Sequence, residues 1–188
     1  MGLTLAIDPA EVDAPGVQFT GTPTGTGFAF DLAVGGATQN HSWAEGAAFV
    51  HYVPSPDADD MQATIGGYFD LNGDVGFDGL SFALLGPFID YYPNPRQGLH
   101  LLGSIGLGIL AMGDGTLRNS TYVPFQDHAG AGVGVLAGLG YEWRVDDKWS
   151  LGALARVTYA APSGEDDDNA AWQHHLWLPA LLVTVTMN

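Results

Sequence analysis

The chain has 188 residues, 27 of them glycine, no cysteine, and a formal net charge of −16. Glycine costs roughly 1 kcal/mol per helix position relative to alanine, which excludes a helical bundle. Without cysteine there is no disulfide or thiolate metal site, and five Lys and Arg in all exclude nucleic acid, whose phosphates need a basic surface.

Eight strands are predicted in chain order: 2–8, 26–38, 43–53, 79–92, 98–112, 128–144, 149–160 and 173–187. Long Gly/Pro/Asp-rich loops are expected at 9–25, 54–78, 113–127 and 161–172. Tight turns are expected at 39–42, 93–97 and 145–148, where Gln39-Asn40-His41, Pro93-Asn94-Pro95 and Asp146-Asp147 supply turn formers. Long and short connections alternate strictly, as in an up-and-down barrel with loops at one rim and hairpins at the other. Both termini then lie on the hairpin side. No sequence divides the chain, so residues 1–188 form one domain. Met1 is followed at once by strand-like Leu3, Leu5 and Ile7, so no signal peptide is visible and a mature or trimmed chain is expected.

The stretch from Ala129 to Trp143 shows the pattern best. Ala131, Val133, Val135, Ala137, Leu139, Tyr141 and Trp143 alternate with Gly130, Gly132, Gly134, Leu136, Gly138, Gly140 and Glu142. Successive strand side chains point to opposite faces, so one face is oily and the other nearly bare. A greasy outside around a small or polar inside is the layout of a barrel in lipid. A soluble lipocalin-like barrel would show the reverse. No run of 18 apolar residues marks a transmembrane helix. Aromatics gather near strand ends. Trp43, Tyr91, Tyr92, Tyr141, Trp143 and Trp149 stand at the hairpin side, and Phe28, Phe30, Tyr52, Phe82, Tyr159 and Trp172 at the loop side. The expected girdle is Trp43, Tyr91, Tyr92, Tyr141, Trp143, Trp149, Tyr159 and Trp172, with rings buried in lipid and polar tips in water. Most acids fall in the long loops, including Glu11, Asp13, Asp57, Asp59, Asp60, Asp70, Asp74, Asp78 and Glu165 to Asp168. Arg96, Arg144 and Lys148 sit at the short turns.

The runs Gly98–Leu110, Gly130–Trp143 and Trp149–Ala155 resemble small bacterial outer-membrane barrels of the OmpA and OmpX type, over nearly the whole chain. The resemblance implies a closed, antiparallel eight-stranded transmembrane β-barrel in the bacterial outer membrane. Two departures stand out. Such barrels usually end in an aromatic residue whereas this chain ends Thr186-Met187-Asn188, and its first strand is short.

Three constellations could carry chemistry. By parity, Asp31, Glu45, His100, Glu142 and Arg156 face the lumen, where Arg156, as the strand base, is expected to bridge Glu142 or Glu45 in a structural network. A gate for ions is the functional version. Bulky Phe49 or Leu136, or water, would fill the space beside the glycines. Asp70, Asn72, Asp74 and Asp78 have the alternate-residue spacing of a calcium loop, but Val75 replaces its glycine and no glutamate closes it. A solvated acidic loop and no cofactor are expected, with a weak divalent-cation site holding Ca2+ loosely as the alternative. His41-Ser42 and His174-His175, with Ser163 nearby, could suggest a lipid-acting hydrolase or a zinc site. However, neighbouring histidines on a strand face opposite ways and the spacing matches no His-ligand pattern, so polar residues at a membrane rim are expected and no catalytic residue is assigned. The favoured function is a non-enzymatic structural or adhesive protein presenting acidic loops. A narrow cation-favouring pore is the alternative, and a lipid A hydrolase a more distant one. Expected partners are outer-membrane lipid and lipopolysaccharide, plus an extracellular ligand the sequence does not identify. The expected state is a monomer.

Overall fold

The computed structural model describes residues 1–14, 17–37, 41–65, 69–94, 96–118, 126–165 and 171–187. Its strands are β1 (Gly2–Ile7), β2 (Ala10–Ala14), β3 (Val17–Gly21), β4 (Thr24–Ala37), β5 (His41–Val53), β6 (Asp57–Ile65), β7 (Phe69–Phe77) and β8 (Leu80–Gly86). They continue with β9 (Phe88–Tyr91), β10 (Leu99–Met112), β11 (Gly115–Leu117), β12 (His128–Arg144), β13 (Trp149–Ala160), β14 (Ser163–Glu165), β15 (Ala171–His174) and β16 (Leu176–Met187). Every pairing is antiparallel. The ring runs β1, β4, β5, β8 continued by β9, β10, β12, β13, β16 and back to β1, and each member pairs on both sides. The barrel is therefore closed, and closure is what satisfies backbone hydrogen bonds where no water reaches. β1 is short, as its sequence suggests. It pairs with β4 only from Gly2 to Ile7.

The outer face is apolar around the ring: Leu3, Leu5, Phe30, Leu32, Val50, Leu85, Ile105, Leu107, Val133, Leu139, Leu151, Val157, Leu181 and Val183 are exposed. On β12, Val133 is 66% exposed while Leu136 is 4% exposed, so the alternation read from sequence sorts outside from inside. Outward apolar residues run from Leu99 to Ile109 along β10, enough for an apolar band of roughly 25 Å once strand tilt is allowed for. Such a surface is a membrane-facing surface.

The inner glycines act by making room. The Phe82 ring lies 3.0 Å from where a Cβ on Gly108 would stand, Leu84 Cδ1 2.8 Å from that of Gly134, and the His100 imidazole fills the space over Gly140. Bulky inward residues of β8 and β10 thus pack into the bare rows of β10 and β12. Gly98, with φ of 70°, closes the turn before β10 in a conformation that other residues rarely adopt.

Among the described residues, the long connections carry strands. Segment 9–25 contains β2 and β3, 54–78 contains β6 and β7, 113–127 contains β11, and 161–172 contains β14 and the start of β15. These short strands pair into a crown, β7 to β6, β6 to β3, β3 to β2, β2 to β15 and β15 to β14, that extends the barrel wall beyond the lipid band. Two predicted strands are also broken, 79–92 at Pro87 and 173–187 at His175. In the crown the polarity inverts. Glu11, Asp13, Asp57 and Asp59 are exposed, while Ala58, Met61, Val75, Phe77 and Trp172 join the buried core. Between the two zones the strands break at 8–9, 22–23, 54–56, 78–79, 113–114, 161–162 and 175, with Pro9, Pro23, Pro54, Pro56 and Pro162 among the break residues. This belt marks the membrane surface, since apolar Ile7, Tyr52 and Trp177 lie on one side and acids on the other.

A charge placed on the lipid face should expose this geometry. Val135→Arg, at mid-height on β12, is expected to cost about 2–4 kcal/mol in urea unfolding from lipid vesicles. Gln18→Arg on the exposed crown should leave unfolding within about 0.5 kcal/mol.

Candidate functional site: a polar lumen beneath a packed plug

The interior has two halves. Toward the crown, Phe49, Phe82, Leu84, Leu110, Leu136 and Leu178 pack into one buried cluster that continues up to Trp172 and Leu176. Toward the short turns, a cavity of about 1330 Å³ is lined by Asp31, Phe49, Asp90, Tyr92, His100, Leu102, Glu142, Leu154, Thr184 and Thr186, among others. Phe49 and Leu136, two of the bulky residues expected beside the glycines, thus fill one half of the bore, and the other half is open space.

Arg156 stands between the halves. Its side chain is 0% exposed and donates from Nη2 to Asp31 Oδ1 at 2.5 Å. Nη1 donates to Thr158 Oγ1 at 2.8 Å and to His51 Nε2 at 2.8 Å. An arginine cannot accept, so His51 accepts at Nε2 and carries its proton on Nδ1, facing Thr4 Oγ1 at 2.9 Å. Thr4 passes its own proton to the Pro179 carbonyl at 3.1 Å. The guanidinium carbon also lies 5.5 Å from the centroid of the Phe49 ring. The partner of Arg156 is thus Asp31, not Glu142 or Glu45. Glu142 instead accepts from Thr186 at 2.5 Å. Glu45 is exposed, and the β4–β5 register steps from Val34↔Gly46 to Gly35↔Ala44, leaving Glu45 as the extra residue of a bulge that turns it out of the network.

His100 is held by Asp90, Nδ1 to Oδ1 at 2.6 Å, and stacks on Tyr92 with ring centroids 5.1 Å apart. Tyr92 donates to Asp90 at 3.3 Å. Sequence parity missed Asp90, Thr4 and His51. Thr4 and His51 share the inward parity of Ala6 and Phe49 and could have been found by it.

The remaining expectations fare unevenly. Tyr91, Tyr141, Trp143 and Trp149 are exposed on the outer face near the short turns, and Tyr159 packs on Trp177 at 4.7 Å near the belt. Tyr92 and Trp172 do not belong to the girdle. Tyr92 turns inward onto His100, and Trp172 is buried in the crown against His128. The side chain of Trp43, like those of His41, Ser42, Asp70 and Asn72, and all of residues 166–168, lies outside the described residues. The segment from Asp70 is strand β7 and Asp78 follows its end. An extended backbone spreads alternate residues roughly 6–7 Å apart, unlike the wrapped loop that calcium chelation needs. Asp74 instead lies 3.7 Å from Arg118, which also approaches Asp57 at 3.4 Å and Asp59 at 3.9 Å.

The adjacent histidines separate. His174 is buried, with Nδ1 2.8 Å from Asp8 Oδ2 and Nε2 3.0 Å from His128 Nε2, while His175 Nδ1 meets Tyr159 Oη at 3.0 Å. Ser163 is exposed and pairs with Gln173, on the opposite face from His174. A serine–histidine pair is not assembled there.

No family model matches the sequence, and no curated protein matches it. Solved structures with a similar chain path include the outer membrane protein OprG from Pseudomonas aeruginosa, at 11% identity and TM-score 0.40 over 100% of this chain and 96% of that chain. The outer membrane protease OmpT from Escherichia coli is similar at 7% identity and TM-score 0.48, covering 100% and 94%. The attachment invasion locus protein Ail of Yersinia pestis, in complex with the heparin analogue sucrose octasulfate, is similar at 11% identity and TM-score 0.36, covering 96% and 97%.

The buried pair gives a direct test. Asp31→Ala leaves Arg156 uncompensated and is expected to cost about 3–5 kcal/mol in vesicle unfolding. The double variant Asp31→Leu with Arg156→Met should recover most of that loss, because an apolar pair needs no desolvation of charge.

Proposed function

We propose that this chain is a monomeric, non-enzymatic protein of the bacterial outer membrane that conducts no ions and presents its acidic crown outside the cell. The observation that carries the reading is the inversion at the belt. An apolar exterior fixes the barrel in lipid, and above it the wall continues in water with Glu11, Asp13, Asp57, Asp59 and Glu165 exposed. Strands hold these acids on a rigid cylinder instead of on free loops. Such a surface suits a structural or adhesive partner bearing positive charge. Lipid and lipopolysaccharide surround the band, and any divalent cation is shared diffusely among crown acids.

The plug favours this reading over a cation-selective pore. Phe49, Phe82, Leu84 and Leu136 occupy the bore above the cavity, where a conducting path would have to run. The separation of Ser163 from His174 disfavours a lipid hydrolase.

Purified protein in planar bilayers should give no conductance steps above the lipid baseline. On intact cells, Gln18→Cys should react with a membrane-impermeant maleimide, and Asp147→Cys, in the turn before β13, should react only after the outer membrane is permeabilised. Regular conductance steps would refute the closed bore, and the reverse labelling would refute the orientation.

A further inference from the structure

The cavity on the short-turn side has a chemistry that neither the plug nor the presenting surface uses. It measures about 1330 Å³, and its wall combines apolar Phe49, Leu102, Leu154 and Leu182 with Arg96 and Arg144 at the short turns. Small-ligand sites hold about 300–1,000 Å³, so a ligand and its water fit. Asp31, Asp90 and Glu142 also line it. Arg156 balances Asp31. Among the described residues no arginine or lysine pairs with Asp90 or Glu142. Asp90 is held by His100 and Tyr92, and Glu142 by Thr186. Tyr92 stands by both carboxylates: its hydroxyl donates to Asp90 Oδ2 at 3.3 Å and also faces Glu142.

The lining is short of donors. His100, whose ring lies over Gly140, is 3% exposed and its Nε2 has no partner, and Asp31 Oδ2 and Thr184 Oγ1 are also buried without one. A carboxylate oxygen only accepts. His100 Nδ1 faces the Asp90 carboxylate at 2.6 Å and carries the proton, which leaves Nε2 of the neutral ring an acceptor. Unmet acceptors beside carboxylates call for a group that donates several hydrogen bonds and accepts none, which a primary ammonium does. A metal ion needs converging ligands, and among the described residues no three His, Asp or Glu side chains converge. Arg96 and Arg144 offer the opposite charge, but both are exposed, where water and salt screen them. The Asp90 side chain is only 16% exposed, so its field is screened less.

We propose that this cavity binds a small organic cation, with its ammonium between Asp90 and Glu142 and its apolar end on Leu102, Leu154 and Leu182. The seat is pre-formed. Thr186 fixes Glu142 Oε1, and His100 and Tyr92 fix the two oxygens of Asp90, so little ordering is lost on binding. Each carboxylate keeps lone pairs for the ammonium. Leu102 packs on the cluster of Leu154 and Leu182, which gives the hydrocarbon end one continuous apolar patch. The plug lies on the other side of the cavity, so the ligand enters and leaves by one mouth, and binding is compatible with a bore that conducts no ions. Access from the periplasm rests on the orientation proposed above, and the site itself does not.

The experiment uses the whole protein in lipid nanodiscs, with labelled leucine methyl groups, near neutral pH. It is titrated with benzylamine and, separately, with benzyl alcohol and benzoate, and empty nanodiscs give the lipid contribution. Benzylamine is expected to shift the Leu102, Leu154 and Leu182 methyls saturably, with a Kd below about 5 mM, and to leave Leu84 and Leu110 of the plug unmoved. Benzyl alcohol and benzoate should bind about tenfold more weakly or less. Glu142→Gln should weaken benzylamine about tenfold, because a charge-assisted hydrogen bond becomes a neutral one. Absence of saturable shifts below about 5 mM, benzyl alcohol or benzoate binding as tightly as benzylamine, or unchanged affinity in Glu142→Gln would each overturn the proposal. Nanodiscs leave both ends of the barrel open to the probe, so these results bear on the site, whereas reversed cysteine labelling on cells bears on the orientation alone. If Glu142→Gln does not fold, the comparison of probes on the wild type decides the matter.

Discussion

Eight inward-facing rows must fill one narrow bore, and which rows are bare decides everything else inside this protein. Gly108, Gly134 and Gly140 leave space that Phe82, Leu84 and His100 take up. Without those glycines, the large residues of β8 and β10 would meet a wall of side chains, and the barrel could neither stay narrow nor pack solidly. Lipid packs the other face of the same strands, so their Val, Leu and Ile positions cost nothing in exposed apolar surface. The alternation that looks like a membrane signature is equally a packing code.

Narrowness also dictates how the few lumenal ions are handled. A guanidinium that is 0% exposed needs a counter-charge and acceptors, and the two terminal nitrogens of Arg156 find them in Asp31, His51 and Thr158. The network sits at the floor of the apolar plug, where the bore changes from packed to open. Polar groups nearer the short turns, such as Glu142 with Thr186 and Asp90 with His100, border the cavity and need fewer partners.

The membrane strands were legible because each carries a long period-2 pattern with one chemical meaning, apolar out. The crown was not, although β6 and β7 pair from Asp57↔Gly76 to Ile65↔Phe69, with one register shift between Ala58 and Met61. Val75 and Phe77 alternate with Asp74 and Gly76, but there apolar means inward, and short strands rich in Asp, Gly and Pro read as loops. The inward parity of Asp31 and Arg156 was readable. Their pairing was not, because β16 and β1 lie between β13 and β4 and only the closed ring brings the two residues together. Glu45 failed for a local reason, since a single extra residue breaks parity and no composition signals it. Trp172 was misplaced although it shares the parity of His174, two residues on. Aromatic content near a strand end suggested a girdle, while its face pointed to the core.

The two polarity schemes, apolar outside in lipid and apolar inside in water, must be joined on every strand without a gap in the wall. Side-chain parity is kept across the break at 175: Leu178, Leu176, His174 and Trp172 all stay inside, while the outer row changes from Trp177 to Gln173. The change of scheme is thus a change of outer-row composition, and the breaks at the belt, often with proline, fall where it happens. A wall broken at one level would be weak there. Backbone bonds such as Asp8 N–H to the Pro23 carbonyl and His175 N–H to the Pro9 carbonyl, each 2.9 Å, bridge neighbouring breaks. Side chains must supply the rest, and so buried Asp8 and His174 lie at the level where the backbone ladder is thinnest.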